Sequence, residues 1–180
     1  SSIFKHDWKG RYIVTSVVYR LQKSPELHLD YGNLRASLLG DDISIADVRK
    51  AVIEIRRSKL PEPDEYGSAG SFFMYRAGSA FLQPVIPPAH PETLHSPSPD
   101  MPHYVVDDMH VKVPAGWLID RCGWKGKSFG GAAVYEKQCL VLINKNNAKP
   151  NDVVALAEMI RKSVSDTYGI VINPEVNYIE

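Results

Sequence analysis

The sequence predicts an α+β fold, and three observations carry that prediction. Apolar residues recur at helical spacing in two long segments, 44–59 and 150–168. β-Branched and aromatic residues concentrate in short runs at 12–21, 130–134, 139–144 and 170–172. Helices and strands follow one another irregularly, which does not suit a regular βαβ layout. With 180 residues and 44% apolar composition, the chain is long enough for one domain, or two small ones, with a real core.

The elements follow in order. Residues 12–21 read as a strand, and a strand at a chain end needs sheet partners from elsewhere for its backbone groups. The helix over 44–59 has Ser44 as its cap, the acid Asp47 three residues on, and a stripe of Ile45, Val48, Val52 and Ile55. Leu60-Pro61-Glu62-Pro63 stops it, and this stop is the predicted domain boundary. Tyr66 to Phe73 is a small-residue loop running into aromatics. Residues 84–102 hold seven of the 13 prolines and read as an extended loop. A short helix is expected over 114–122, with proline in its first turn and Gly123 at its end. Two strands follow, around the turn Tyr135-Glu136-Lys137. The last helix carries Val153, Leu156, Ile160 and Val164 on one face, Gly169 ends it, and 170–172 form a closing strand.

Composition excludes several function classes. Charges balance at 21 against 21, with no basic patch or acidic tail, so neither nucleic acid nor a membrane is an expected partner. No apolar run reaches the ~18 residues of a membrane span, and the first residues lack the apolar stretch of a signal peptide. Two cysteines, Cys122 and Cys139, are no disulfide framework, so a reduced, cytoplasmic setting is expected. The absence of an initiating methionine leads us to expect that the chain starts inside a longer protein.

Single motifs have ordinary readings. Gly126-Lys127-Ser128 is no P-loop, because Arg121 stands where the first glycine belongs and a helix, not a strand, is expected before it. His103, Asp107, Asp108 and His110 match no metal-ligand spacing and read as solvated loop residues, so no metal site is expected. Cys139 reads as a small core residue, and Cys122 ends a helix, where the dipole disfavours a thiolate. Taken alone, Ser71 is a turn serine, Lys59 a solvated helix-end residue and Glu175 a surface carboxylate.

Several motifs in order carry a resemblance. Arg57-Ser58-Lys59-Leu60-Pro61 is followed by Gly67-Ser68-Ala69-Gly70-Ser71-Phe72-Phe73, then Ala115-Gly116-Trp117-Leu118-Ile119-Asp120 and Gly123-Trp124-Lys125-Gly126. Gln138-Cys139-Leu140-Val141-Leu142-Ile143-Asn144 and Pro174-Glu175-Val176 complete the set. Over nearly the whole chain this resembles the carboxy-terminal part of UDP-N-acetylenolpyruvoylglucosamine reductases. The resemblance implies that residues 1–60 are a remnant of the flavin-contacting domain, 61–168 the α+β substrate-binding domain, and 169–180 a tail packing towards a first domain absent from the chain.

It also implies an activity: reduction of UDP-N-acetylglucosamine enolpyruvate to UDP-N-acetylmuramate with NADPH through FAD. That reaction belongs to peptidoglycan synthesis, and so to cell wall biogenesis, cell shape and cell division, in the cytoplasm. Ser71 is implied as the proton donor and Glu175 as the acid group beside the carbon where negative charge develops. Lys59 is matched to the substrate carboxylate or phosphate region, Tyr104 to the nucleotide, Lys125 to the diphosphate and Gln138 to the sugar, with Arg56 on the flavin side. The family's Asn-Pro after Ser-Phe-Phe is missing. Gln83-Pro84 arrives eight residues late, so 75–82 read as an insertion and Gln83 takes the asparagine's place in binding substrate. The insertion creates a rival serine, Ser79, but Ser71 keeps the family spacing of twelve residues from Lys59. Tyr135 stands where a histidine is common. The flavin-binding region of the family lies mainly outside this stretch, so the chain alone is expected to be inactive. The alternative is a non-catalytic nucleotide-sugar-binding domain. The sequence leaves the oligomeric state open.

Overall fold

The computed structural model describes residues 2–5, 7–30, 33–38, 40, 42–73, 85–86, 100–107 and 110–178. The chain divides into two compact units, Ser1–Ile55 and Arg56–Glu180.

The first unit begins with a 3-10 turn, Ile3–Lys5, and has a second at Arg35–Ser37. Helix α1, Ile45–Lys59, starts in it. The expected cap is present: the Ser44 amide donates to Asp47 Oδ2 at 3.0 Å and the Asp47 amide to Ser44 Oγ at 3.2 Å. The bonds from Ser44 hold the Asp47 carboxyl below its usual range. The buried face is rotated from the expected stripe. Ala51 is buried with Leu29 and Leu34, and Val48 and Ile55 pack beside it, while Ile45 and Val52 are exposed.

The strand expected over 12–21 does not form. The segment has no regular structure and no ladder partners among the described residues, and Ile13 and Val18 are 87% and 96% exposed. β-Propensity alone does not satisfy a strand's amides and carbonyls.

The second unit is built on a four-stranded antiparallel sheet in the order β1-β7-β6-β5: Gly67–Ser71, Val141–Asn144, Ala132–Val134 and Ser128–Phe129. Period-two alternation explains its two apolar faces. Ala132, Val134 and Leu142 point into the main core, with Leu118 and Ile119 of α2 (Ala115–Arg121) and Leu156, Ile160 and Val164 of α3 (Pro150–Tyr168). Ala133, Tyr135, Val141 and Ile143 face the other way, against Leu60 and Tyr66. With both faces covered, the central strands are buried except at Asn144, the last residue of β7. The helices at 115–121 and 150–168 and the two central strands lie within the segments expected from their end signals, apolar stripe and strand-like composition.

A three-stranded sheet, β2-β4-β3, holds Val85–Ile86, His110–Lys112 and Tyr104–Asp107. Val85–Ile86 therefore corrects the reading of 84–102 as loop throughout. Residues 87–99 lie outside the described ones. The closing strand at 170–172 is a second correction. Ile170 and Ile172 are buried and Val171 exposed, an extended pattern, yet no ladder forms. Arg161 Nε takes the Ile172 carbonyl at 3.0 Å instead, and the chain meets the sheet side at the isolated bridge Phe73–Pro174 and at the Glu175 N–Phe72 O bond.

Candidate active site

Ser71 closes β1, so the expected loop is a strand end. The Ser68 to Ser71 stretch is irregular, with Ser68 opposite Ile143 and Ser71 opposite Val141. Gly70 sits at φ +78°, a conformation that glycine adopts without a Cβ clash, and its amide donates to Ser68 Oγ at 3.1 Å. Such an irregularity re-aims the side chain that follows it. Ser71 is half-buried, and beyond it the Phe72 amide donates to Leu140 O at 2.7 Å. Phe72 and Phe73, both buried, anchor the strand end.

Glu175 reaches the same place from the other end of the chain. Pro174 bridges to Phe73, and the Glu175 amide donates to Phe72 O at 2.8 Å. Glu175 is half-buried. Glu175 is thus bonded to the residue that directly follows Ser71.

Gln138 joins them through the turn before β7. Its carbonyl accepts from Val141 N at 3.0 Å and its side-chain Oε1 from Leu140 N at 3.4 Å. Oε1 also lies against α2, since a Cβ at Gly116 would be 3.7 Å from it. The next residue, Cys139, is buried, and its thiol is pushed up to about 11, chiefly by that burial. The Asp120 carboxylate adds to the rise and Lys125 opposes it, which places both charges near this turn. Lys125 is exposed, and Lys127 Nζ lies 5.8 Å from the centre of the Trp124 ring.

The structure gathers Ser71, Glu175 and Gln138 at the β1–β7 end and sets Lys125 in the adjoining turn. Lys59 and Arg56 lie in the last turn of α1 and are exposed. The neighbouring Leu60 packs on the sheet face opposite α3, and its carbonyl accepts from the Tyr135 hydroxyl at 3.5 Å. Tyr104 is exposed on the three-stranded sheet, apart from the strands that carry Ser71. Gln83 and Ser79 lie outside the described residues, as does Asp108 of the His103 group. Gly126-Lys127-Ser128 runs from a turn into β5, not from a strand into a helix, so it is no P-loop.

Sequence reading missed Arg161. It donates to Ile172 O and, through a second nitrogen, to both oxygens of Glu158 at 2.7 and 2.9 Å. Its only signal is its place on α3, one residue after the core Ile160. Asp152 was missed too: its carboxylate accepts from Lys149 N at 2.9 Å and Gly131 N at 3.3 Å, fixing the start of α3.

Ser71, Glu175 and Gln138 thus stand on neighbouring segments at one sheet end, with Lys125 and Lys127 in the next turn. The chain belongs to the family of UDP-N-acetylenolpyruvoylglucosamine reductase C-terminal domains, whose family model matches residues 62–179. A UDP-N-acetylenolpyruvoylglucosamine reductase of Bacteroides fragilis is 45% identical over 179 residues, covering 99% of this chain and 52% of that protein. One from Flavobacterium johnsoniae is 42% identical over 182 residues, covering 99% and 52%. One from Neisseria gonorrhoeae is 43% identical over 182 residues, covering 99% and 50%. The chain spans about half the length of the curated relatives it matches.

Proposed function

We propose that this chain is the carboxy-terminal part of an oxidoreductase that converts UDP-N-acetylglucosamine enolpyruvate to UDP-N-acetylmuramate, with FAD and NADPH, for peptidoglycan synthesis. The observation that carries the reading is the backbone bond from Glu175 N to Phe72 O, next in the chain to Ser71. Residues 61–168 act as the substrate domain, and 1–60 belong to the flavin-contacting one. No helix among the described residues is long and apolar enough to cross a membrane, and we place the protein in the cytoplasm.

The residues present fit one edge of a flavin. Among the described residues a Cβ at Gly70 would meet nothing within 4 Å, which leaves room for a flat ring beside Ser71. Arg56, exposed at the end of α1, is the residue we assign to the flavin side. When bound, FAD reduced by NADPH would supply the hydride that adds to the terminal carbon of the enolpyruvyl double bond.

Negative charge then develops on the carbon beside the substrate carboxylate. Ser71 gives its hydroxyl proton to that carbon. A serine is a poor acid, but an enolate carbon is strongly basic, so position matters more than acidity. Glu175, fixed beside Ser71, serves as the acid group at that carbon. Lys59 holds the carboxylate or phosphate region, where a preplaced cation is worth more than in water. Lys125 faces the diphosphate, Gln138 the sugar and Tyr104 the nucleotide. Gln83 contacts the substrate from the segment that follows Ser71.

The test joins this chain to the amino-terminal half of a curated relative. The expected product is a yellow protein that oxidises NADPH only when the enolpyruvyl sugar is present, while the 180-residue chain alone turns over nothing. A flavin-loaded protein whose NADPH oxidation ignores that sugar would end the proposal.

A further inference from the structure

The segment that carries Glu175 has no strand ladder to hold it. Beyond the left-handed Gly169, residues 170–173 run without a ladder, so their carbonyls need other donors. From the sheet side the segment is held at the Phe73–Pro174 bridge and at Glu175 N–Phe72 O. From the helix side it is held at Ile172, whose carbonyl accepts from Arg161 Nε at 3.0 Å.

Arg161 is itself locked. Glu158, three residues earlier on α3, accepts from one terminal nitrogen with both oxygens, leaving Nε–H aimed at Ile172. Ile172 is 1% exposed, so its side chain fixes the carbonyl's direction. Tyr178 closes the segment further on, its ring 6.3 Å from that of Phe72. Burial first, then the Glu158 carboxylate, raises its hydroxyl's pKa, and Arg161 opposes them, so Tyr178 shares this corner.

We infer that Arg161, oriented by Glu158, is a positioning residue that sets Glu175 against Ser71 by pinning the Ile172 carbonyl. The inference rests on the proposed role of Glu175. It goes beyond that reading because Arg161 acts from α3 through the backbone three residues upstream. A shift of about 1 Å at a reacting centre costs on the order of 100-fold in rate.

The test uses the same joined, flavin-loaded protein and separates its half-reactions by stopped flow. Arg161→Met and the milder Glu158→Gln are expected to slow reoxidation of the flavin by the enolpyruvyl sugar, about 10- to 100-fold for Arg161→Met. Flavin reduction by NADPH keeps its wild-type rate. Arg161→Lys keeps the charge but has no Nε–H, so it does not restore the rate. In a Glu175→Gln background Arg161→Met adds little, because both act on one group. If Glu175→Gln slows reoxidation while the Arg161 and Glu158 variants lower only the melting temperature, the inference falls and the function stands. If Glu175→Gln leaves reoxidation unchanged, the role given to Glu175 falls and takes the inference with it. Should Arg161→Met fail to fold, Glu158→Gln decides.

Discussion

Gly131→Ala will destabilise the chain by about 2–4 kcal/mol, for steric reasons alone. Gly131 sits between β5 and β6 under the loop that leads into α3. A Cβ there would lie 2.5 Å from Ala148 N, 2.5 Å from Asn146 O and 2.6 Å from Ala148 Cα. Ordinary contact begins near 3.4 Å, so the loop must open by about an ångström, and the obstructing atoms are backbone. That backbone is tied down. Lys145 N and Asn146 N each donate to Gly131 O at 3.0 Å, Ala148 N donates to Asn144 Oδ1 at 2.8 Å, and Gly131 N donates to Asp152. Losing or stretching three or four bonds at about 0.5–1.5 kcal/mol each gives the stated cost. Thermal and urea unfolding of the 180-residue chain, followed by circular dichroism, reads it as a fall in melting temperature of roughly 5–15 °C. Gly67→Ala is the control, since its Cβ would meet Asn144 Cβ at an ordinary 3.5 Å, and it stays within about 0.5 kcal/mol of the parent. A Gly131→Ala protein as stable as Gly67→Ala would refute the packing described for this corner.

Two further predictions concern the core. The Cys139 thiol, raised to about 11 from 9.0, favours the folded state fully below pH 9, and that contribution is lost as pH rises towards 11. Cys139 will therefore alkylate far more slowly at pH 8 in the folded chain than in urea, as mass spectrometry of the labelled peptide can read, and equal rates would contradict its burial. Ile160→Ala, at a fully buried position between α3 and the sheet, will cost about 2–5 kcal/mol in urea unfolding, against under 0.5 kcal/mol for the exposed Lys162→Ala.

What the sequence disclosed followed from periodicity and caps. The Ser44–Asp47 pair, the stripe of α3 and the short apolar runs at 132–134 and 141–144 are local patterns, and local patterns survive folding. The misses are non-local. Residues 12–21 have strand composition without a partner, and β1 is made of Gly, Ser and Ala, whose propensity hides a strand that only pairing with β7 reveals. Ile170 and Ile172 alternate like a strand, but an arginine side chain replaces the neighbour that would have made one. At the site, motif order picked out Ser71, Glu175 and Gln138, which the fold brings to one sheet end. Lys59 and Tyr104 came from the same motifs and lie on other elements, because a motif records which residues recur and not which face they share. Arg161 belongs to no motif, and only the path of the chain past Ile172 reveals it.

The central claim is that Ser71 delivers the proton at the end of β1. In the joined, flavin-loaded protein, single-turnover reoxidation of the reduced flavin by the enolpyruvyl sugar tests it most directly. Ser71→Ala should slow that step by about 100-fold or more, with flavin reduction by NADPH unchanged and Ser79→Ala close to the parent. Reoxidation that survives Ser71→Ala intact, or collapses in Ser79→Ala instead, would contradict it.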